Sequence, residues 1–573
     1  MHIVMVNWAR IWDGTTSGGG VNGYAQGLSL ALKERGHKIS WLCGGRVTEC
    51  VTETDAPGPL RIDRHADWLG VHVFEVINSP VLAPSLDQFR DPAGEVSQPE
   101  LERVVGGLFE AMRPDVVHFH NLEGFSVGCV LQAKQAGASV VFSLHNYHTL
   151  CPQVYLMRGH RTPCRCYDSG KACETCIDAP DPRVQRLKQI RVIPAEPTPP
   201  PSSSRDTLRT LRTAFSRAFS REPTPELNGS HLKVPNQVTP AEKPLTRPCR
   251  NKLDFTAAFS FSDDDSRGMT RQFLAESAPR AWQNAGDTEW QIVSNTPESD
   301  PTFDPTTLLD SDANPYAHRR HAMIAMLNSC DRVLAVSSFV RDLYLRMGVD
   351  SSRIHAITIG TRMPALAERH AELAFAPRPI AQDPTRPVRL CFMGANHWYK
   401  GLPMLADALE LLTPEYLRRF HLAVHAFGFD SIAWRFKRLE PRLAGLEIGG
   451  SYHPPDVPWI CGGRDLGLVP SVWWDNGPQT VMEFLACGVP VLGANLGGIP
   501  DFVVDGHNGL LHRGNDRHDL AHTLVDIARN PHQLDRLRTN VQTPKTMETH
   551  AAEMEAEYSA VKRSQTQSSH VSS

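Results

Sequence analysis

The chain has 573 residues, with 59 Lys and Arg against 63 Asp and Glu, a net charge of −4 with histidine neutral. That length predicts about two to four domains, and the balanced charge excludes a dedicated nucleic-acid binder, which carries a strong basic excess. No apolar stretch reaches the ~18 residues needed to span a bilayer, and the N-terminus MHIVMVNWARIWDG lacks the basic start and cleavage site of a signal peptide. A cytoplasmic protein is expected, with its 13 cysteines as thiols or metal ligands rather than a disulfide framework.

The first 150 residues alternate short apolar strands with amphipathic helices. Strands are expected at His2–Val6, Lys38–Cys43, Val71–Val76, Val116–His120 and Val140–His145, and helices at Val21–Arg35, Leu101–Met112 and Gly124–Gln135. Such alternation signals a parallel, doubly wound sheet. From Pro180 the composition changes, with seven prolines up to Pro201, which excludes a sheet interior and reads as an insert or linker over 180–316. Within it, residues 205–221 place Leu208, Leu211, Phe215 and Phe219 on one helical face amid five arginines. This is either a helix for peripheral contact with an anionic membrane at the inner face of the cell membrane, or a solvated surface helix, or no stable helix at all.

Order resumes near Ala317, with a helix, a strand at Arg332–Val336, a helix at Ser338–Met347 and a strand at Ile354–Ile359. After a connector at 365–387 a second alternating block follows: strand Arg389–Met393, helix Leu402–Leu412, strands His421–Phe427 and Leu466–Val469, helix Gln479–Cys487 and strand Val489–Gly493. The expected organisation is an N-terminal Rossmann-like domain over 1–364, a linker at 365–387 and a C-terminal Rossmann-like domain over 388–545. A helix at 546–563 returns to the first domain, and 564–573 is a disordered tail. The fold class is therefore α/β, with two doubly wound domains facing a cleft.

The densest signal is LGLVPSVWWDNGPQTVMEFLACGVPVLGANLGGIPDFVVDGHNGLL, Leu466 to Leu511. A strand ending at Pro470 delivers the next loop to the carboxyl edge of the sheet, where open α/β sheets bind ligands. Asp475 lies in that loop, and Pro478 suits the first position of a helix, where a missing N–H costs nothing. The helix start offers free N–H groups and a positive dipole end to a phosphate. Glu483 lies one turn inside, Gly488 ends the helix, and Gly497-Gly498 forms a second tight loop. Upstream, GANHWYKGLPML from Gly394 places Lys400 at the same edge, six residues past the end of a strand.

These residues resemble the glycosyltransferases of family 4, which have the GT-B fold. The shared pattern is a carboxylate, seven residues and a glutamate, then a Gly-Gly-Ile/Val-Pro-Glu loop. This chain keeps Glu483 and has Asp475 and Asp501 where most members have Glu. The resemblance implies a retaining enzyme that moves a sugar from a nucleotide-sugar donor to a glycan or lipid-linked acceptor, in polysaccharide or glycoconjugate biosynthesis. It implies that Glu483 binds the donor ribose and that Asp475 contacts donor sugar hydroxyls, with help from Gly477 and Gln479 beside Pro478. In the family an Arg directly after the glycine joins this Lys in clamping the diphosphate. Here Lys400 is kept and Ala395 replaces the Arg, a lost bidentate contact for which Asn396 or His397 compensates. No metal is then required for catalysis, since Lys400 and fixed N–H groups stabilise the departing diphosphate.

In the N-terminal half, the loop Gly18-Gly19-Gly20 and the stretches DVVHFHNLEG and SLHNYHTLCP resemble the same family, as does the segment from Cys330 to Gly360. The resemblance places the acceptor near Gly18–Gly20, with His145 beside the transferred sugar and His118 as the next candidate. His145, Asp475 and Lys400 form the expected catalytic set. Cys151 is followed by Cys164, Cys166, Cys173 and Cys176, a C-x-C-x6-C-x2-C spacing that suits a structural Zn site on the last four, or a set of free thiols. Two other chemistries share the fold: a sugar-nucleotide epimerase or hydrolase using Asp475 and Glu483 as an acid/base pair, and a catalytically degenerate partner subunit.

Overall fold

A computed structural model describes residues 1–50, 57–164, 170–179, 181–188, 190–192, 314–370, 377 and 379–571. Its N-terminal half is built on strands β1 (His2–Val6), β2 (Lys38–Gly44), β3 (Thr48–Cys50), β4 (Arg61–Arg64), β5 (His72–Ile77), β6 (Val116–Phe119), β7 (Ser139–Leu144), β8 (Met157–Arg158), β9 (Thr162–Pro163), β10 (Ile190–Val192), β11 (Arg332–Ala335) and β12 (Ile354–Ala356). Eight of them form one sheet in the order β12-β11-β7-β6-β1-β2-β5-β4. All its pairings are parallel except β4 against β5. The parallel strands are apolar runs because helices cover both faces, so β7 is buried at every position. The edge strand β4 reads RIDR and is only half-buried, a charged edge of the kind that discourages further pairing.

The helices that cover this sheet include α1 (Gly14–Glu34), α2 (Pro99–Met112), α3 (Val127–Gln135), α4 (Pro315–Ser329) and α5 (Ser338–Arg346). Helix α1 starts seven residues earlier than the sequence predicts and takes in the glycine loop, with a non-helical break at Gly19. The Pro-rich region also differs from the expected linker at its start. Residues Pro182–Lys188 form a helix, and β10 pairs in parallel with β3. Residues 193–313 of the expected insert, including the basic segment 205–221, lie outside the described residues, as does Cys166.

The C-terminal half holds β13 (Val388–Ala395), β14 (Phe420–Phe427), β15 (Gly445–Gly449), β16 (Leu466–Val469), β17 (Val491–Asn495) and β18 (Gly509–Arg513), in the order β15-β14-β13-β16-β17-β18. Every pairing in it is parallel. Helices α6 (Leu402–Glu410), α7 (Gln479–Ala486) and α8 (Arg517–Arg529) are among those that pack on it. The strand order reverses beside β13 and β16, the switch point where such sheets bind ligands. The expected connector contains a helix at Met363–Arg369 and a turn at Ile380–Gln382.

Helix α9 (Met547–Val571) returns to the N-terminal half and runs through the residues expected as a tail. His550 Nε2 and Tyr24 Oη are 2.7 Å apart, and so are Tyr558 Oη and His118 Nδ1. Glu557 pairs with Arg332 at 2.9 Å. One buried apolar cluster runs from β1 through Val336 and Ile359 to Trp474 and Val481, so the two halves share packing at their facing edges. Among the described residues no helix is long and apolar enough to cross a membrane.

Candidate functional site

Two loops of the C-terminal half meet at the carboxyl edge of its sheet. One follows β16 and carries Ser471–Pro478. The other follows β13 and passes through the turn Trp398–Lys400 into α6. Their side chains join where Lys400 Nζ donates to Asp475 Oδ2 at 2.9 Å, with Lys400 29% and Asp475 7% exposed. The ammonium also lies over the rings of Tyr399 and Trp473, 5.5 and 5.7 Å from their centroids.

Two glycines allow this approach. Gly401 has φ +76°, and a Cβ there would stand 1.6 Å from the Pro470 carbonyl oxygen. Gly497 has φ +57°, and its Cβ would stand 2.4 Å from the Asp475 carbonyl oxygen. The next N–H, of Gly498, donates to that same carbonyl at 2.6 Å. The Lys-Gly signal of the sequence is thus a close approach to the start of the Asp475 loop at Pro470, and the Gly-Gly signal is a contact on the Asp475 backbone itself.

Helix α7 begins at Gln479, and Pro478 sits one position before the expected one, as the extended N-cap with φ −71° and ψ 99°. Its missing N–H is harmless there for the same reason. Glu483 follows within the helix. Burial pushes its carboxyl up to about 7 against the pull of Lys400, and its Oε2 is buried with no hydrogen-bond partner. Buried polar atoms are nearly always paired, yet this loop and helix hold several that are not. The Ser471 hydroxyl, the indole N–H groups of Trp473 and Trp474 and both amide atoms of Asn476 are buried without partners. Lys400, Ser471, Asp475, Pro478 and Thr480 line one small pocket together with Phe392. The site is therefore rich in unspent hydrogen-bonding capacity, one cation and two carboxyl groups.

The expected replacement for the missing family arginine is not available in one respect. The Asn396 amide donates to the Gly428 carbonyl at 3.0 Å and the Ser431 hydroxyl at 2.8 Å, so it braces its own loop. Gly394, with φ +151°, is the penultimate residue of β13, and Ala395 ends the strand. His397 is exposed and stacks on Tyr399 at 5.2 Å. Partial desolvation by the surrounding loop and the Lys400 charge lower its basicity.

The N-terminal half meets this site at several points. The Gln479 side chain donates to the Gly20 carbonyl at 2.9 Å. The Tyr147 hydroxyl donates to the Trp474 carbonyl at 2.7 Å. Asp501, the variant acid of the Gly-Gly loop, accepts from the Ser338 N–H at 2.5 Å. There its charge meets the positive end of α5. Gly477 packs beside Val336 and Ile359.

His145 follows β7 and is half-buried. Its Nε2 is 3.2 Å from His120 Nδ1, and its ring lies 4.7 Å from Tyr24. Burial and the nearby His550 pull its basicity down to about 3, so the imidazole is neutral at ordinary pH. His118 is placed differently: it is fully buried, with Nδ1 on Tyr558 and Nε2 on the Ser143 hydroxyl at 2.7 Å each. One nitrogen docks α9 and the other braces β7, so neither is offered to a ligand.

Cys176 Sγ receives the Gly159 N–H at 3.3 Å and the Gln153 amide at 3.2 Å, and Cys173 lies 3.8 Å from the Arg320 guanidinium. Burial raises the Cys151 thiol to about 12, and the neighbouring Cys164 and Cys173 thiols add to the rise. Among the described residues no group of three or more His, Cys, Asp or Glu is placed to hold a metal ion.

Sequence reasoning missed the aromatic surroundings of Lys400, namely Trp473, Tyr399 and the N-terminal Tyr155, and the His120–His145 contact. The dipeptide Trp473-Trp474 and the run His397–Tyr399 were the available signals, since such clusters seldom stand free in solvent.

Two doubly wound, mostly parallel sheets that present their carboxyl edges to a shared site define the GT-B architecture. Sucrose-phosphate synthase of Thermosynechococcus elongatus has the same fold, with a TM-score of 0.51 at 14% identity over 98% of this chain and 99% of that one. The family model for glycosyl transferases group 1 matches residues 387–530, and that for the glycosyl transferase 4-like domain matches residues 19–170. The chain belongs to the group 1 glycosyltransferases of family 4. It is 26% identical over 219 residues to D-inositol 3-phosphate glycosyltransferase 2 of Catenulispora acidiphila, covering 36% of this chain and 50% of that protein. It is 28% identical over 194 residues to alpha-maltose-1-phosphate synthase of Mycolicibacterium smegmatis, covering 32% and 49%. The chain spans about half the length of the curated relatives it matches.

Proposed function

We propose that this protein is a retaining glycosyltransferase that moves a sugar from a nucleotide-sugar donor to a glycan or lipid-linked acceptor. The observation that carries the reading is the unpartnered Glu483 carboxyl in the helix whose start adjoins the Lys400–Asp475 pair. Glu483 accepts the ribose hydroxyls of the donor. Lys400 turns from Asp475 to the diphosphate, and the exposed N–H groups at the start of α7 add to the same charge. Asp475, released from the ammonium, accepts hydroxyls of the donor sugar. Charge on the departing diphosphate grows in the transition state and is met by groups already in place. Neutral His145 offers a hydrogen bond to the transferred sugar from the N-terminal half.

With Lys400 bound at the diphosphate, no metal is needed for that stabilisation. Cys164, Cys166, Cys173 and Cys176 serve a structural role, as a zinc knuckle or as thiols. The two halves act as separate domains divided at the 365–387 connector.

The test is a panel of nucleotide sugars with a glycan and a lipid-linked acceptor, read by product mass, for wild type and Glu483→Ala. Transfer to an acceptor that Glu483→Ala loses supports the reading. Free sugar as the only product points to hydrolysis, and absence of binding to every donor points to a degenerate partner subunit.

A further inference from the structure

The cysteine-bearing segment after β7 reaches across to the loop that carries Lys400. The Tyr155 ring lies 4.7 Å from Tyr399, 5.6 Å from Trp473 and 5.9 Å from Trp398. His160 stacks on Trp398 at 5.1 Å, with planes 22° apart. The backbone that delivers these rings is strained. Val154, Leu156 and His160 all have positive φ, at 76°, 52° and 56°. For a β-branched residue such as Val154 that conformation is an outlier. Strain of this kind persists where the surroundings over-determine it, and it gathers at ligand clamps.

These rings do not form an open platform for a sugar. Trp473 is 7% exposed and meets Tyr147, Tyr155 and Tyr399 at 6.2, 5.6 and 5.1 Å. The contacts lead elsewhere. Tyr399 and Trp473, both touched by Tyr155, are the two rings beneath the Lys400 ammonium. A cation over ring faces is attracted to them and loses freedom to swing into solvent.

We propose that Tyr155 is a positioning residue for transfer: it wedges Tyr399 and Trp473 under Lys400 when the two halves meet, and so aims the ammonium at the donor diphosphate. The proposal rests on the glycosyltransferase reading above. Donor contacts come from the C-terminal half, through Lys400, Asp475 and Glu483. Tyr155 belongs to the N-terminal half and touches none of the reacting groups. Its effect therefore passes through the aim of Lys400 and is largest in the transition state, where charge on the departing diphosphate grows.

The experiment compares wild type, Tyr155→Ala, Tyr155→Leu and Tyr155→Phe by steady-state kinetics, with calorimetric titration of the donor. Tyr155→Ala and Tyr155→Leu are expected to lower kcat by about tenfold, the factor that ~1.4 kcal/mol of lost transition-state stabilisation gives. Donor Kd is expected to stay within about twofold of wild type, a difference below ~0.5 kcal/mol. Tyr155→Phe, which keeps the ring, is expected to restore most of the rate. Tyr155→Leu keeps an apolar filling if the alanine variant fails to fold. Unchanged kcat in both ring-less variants overturns the proposal, and so does a loss that appears wholly in donor Kd or a Phe variant as slow as Ala. A wild-type protein that neither binds nor turns over any donor overturns the functional reading and this proposal together. A wild type that does both, matched by the ring-less variants, overturns this proposal alone.

Discussion

Lys400 and Asp475, 75 residues apart in the chain, form an ion pair of 2.9 Å at the carboxyl edge of the C-terminal sheet. The pair holds each charge in place before a donor arrives. It also sets a cost, because the diphosphate must take the ammonium from the carboxylate. Replacing Lys400 with Met is expected to lower kcat/KM for the donor by roughly 30- to 1000-fold, the equivalent of about 2–4 kcal/mol for truncating one partner of a largely desolvated charge pair. Lys400→Arg should recover part of this through the retained charge. Steady-state kinetics with saturating acceptor checks it, and a loss under threefold for Lys400→Met would sink the assignment.

Glu483 predicts a pH dependence. Its carboxyl is raised to about 7 by burial, so near neutrality the folded protein holds a mixture of acid and carboxylate. Ribose hydroxyls donate hydrogen bonds, and the carboxylate is the better acceptor. Nucleotide affinity should therefore rise between pH 6 and 8 with one ionisation near 7, and Glu483→Gln should flatten the curve. Stability runs the other way. A carboxyl raised above its unfolded value favours folding most below the ordinary carboxylate range, and that advantage fades as pH rises through about 7. Calorimetric titration of the nucleotide across this range is the measurement.

The histidine cluster around Tyr24 predicts acid lability. His145 and His550 are both pulled down to about 3, chiefly by burial, and burial holds His118 and His120 neutral as well. For a histidine whose folded value is depressed, the unfolded chain takes up the proton first. Stability is full above the ordinary value of 6.5 and falls as pH drops toward 3. At pH 5 each such histidine costs at most about 2 kcal/mol. Melting temperature should drop steeply between pH 6.5 and 5, and His550→Gln should make that slope shallower. An unaltered slope in the variant would contradict the assignment.

Two glycines with similar backbone angles should respond differently to alanine. Gly401 has φ +76° with the Pro470 oxygen 1.6 Å from a Cβ, whereas Gly488 has φ +68° and nothing within 4 Å. Gly488→Ala is expected to cost about 1–2 kcal/mol, the strain of the left-handed conformation alone. Gly401→Ala adds a backbone clash that parts the two site loops, and is expected to cost about 3 kcal/mol or more. It should also weaken donor binding by displacing Lys400 from Asp475. Urea unfolding of the two variants, paired with donor titration, separates strain from site disruption.

Much of the fold was legible in the sequence because it is written in local patterns. A strand covered on both faces must be an apolar run, so β1 and β16 fall where the run of His2–Val6 and of Leu466–Val469 places them. Helix α7 announces itself through Pro478 at its start and Gly488 past its end. The elements that escaped have weak patterns of their own. Strand β15 reads GLEIG with no buried position, and β4 carries alternating charge at an edge. Both exist because a neighbouring strand offers hydrogen bonds. The candidate site was legible in part for the same reason. Lys400, Asp475 and Glu483 lie within local motifs, but His118 has the same sequence credentials as His145 and a different fate.

The sequence by itself determined the two α/β halves, the glycine positions and the residue types gathered at the carboxyl edges, since each follows from periodicity, chain reversal or spacing within about twenty residues. Tertiary structure alone decided the assignments between distant segments. Helix α9 brings Tyr558 to His118 across 440 positions and closes that imidazole to ligands. Gly428 and Ser431 take up the Asn396 amide. The loop between β7 and β8 sets Tyr155 against the rings under Lys400. Whether a polar side chain is spent on packing or left for chemistry depends on which partner packing brings within hydrogen-bond reach, a distance of about 3 Å that no local pattern encodes.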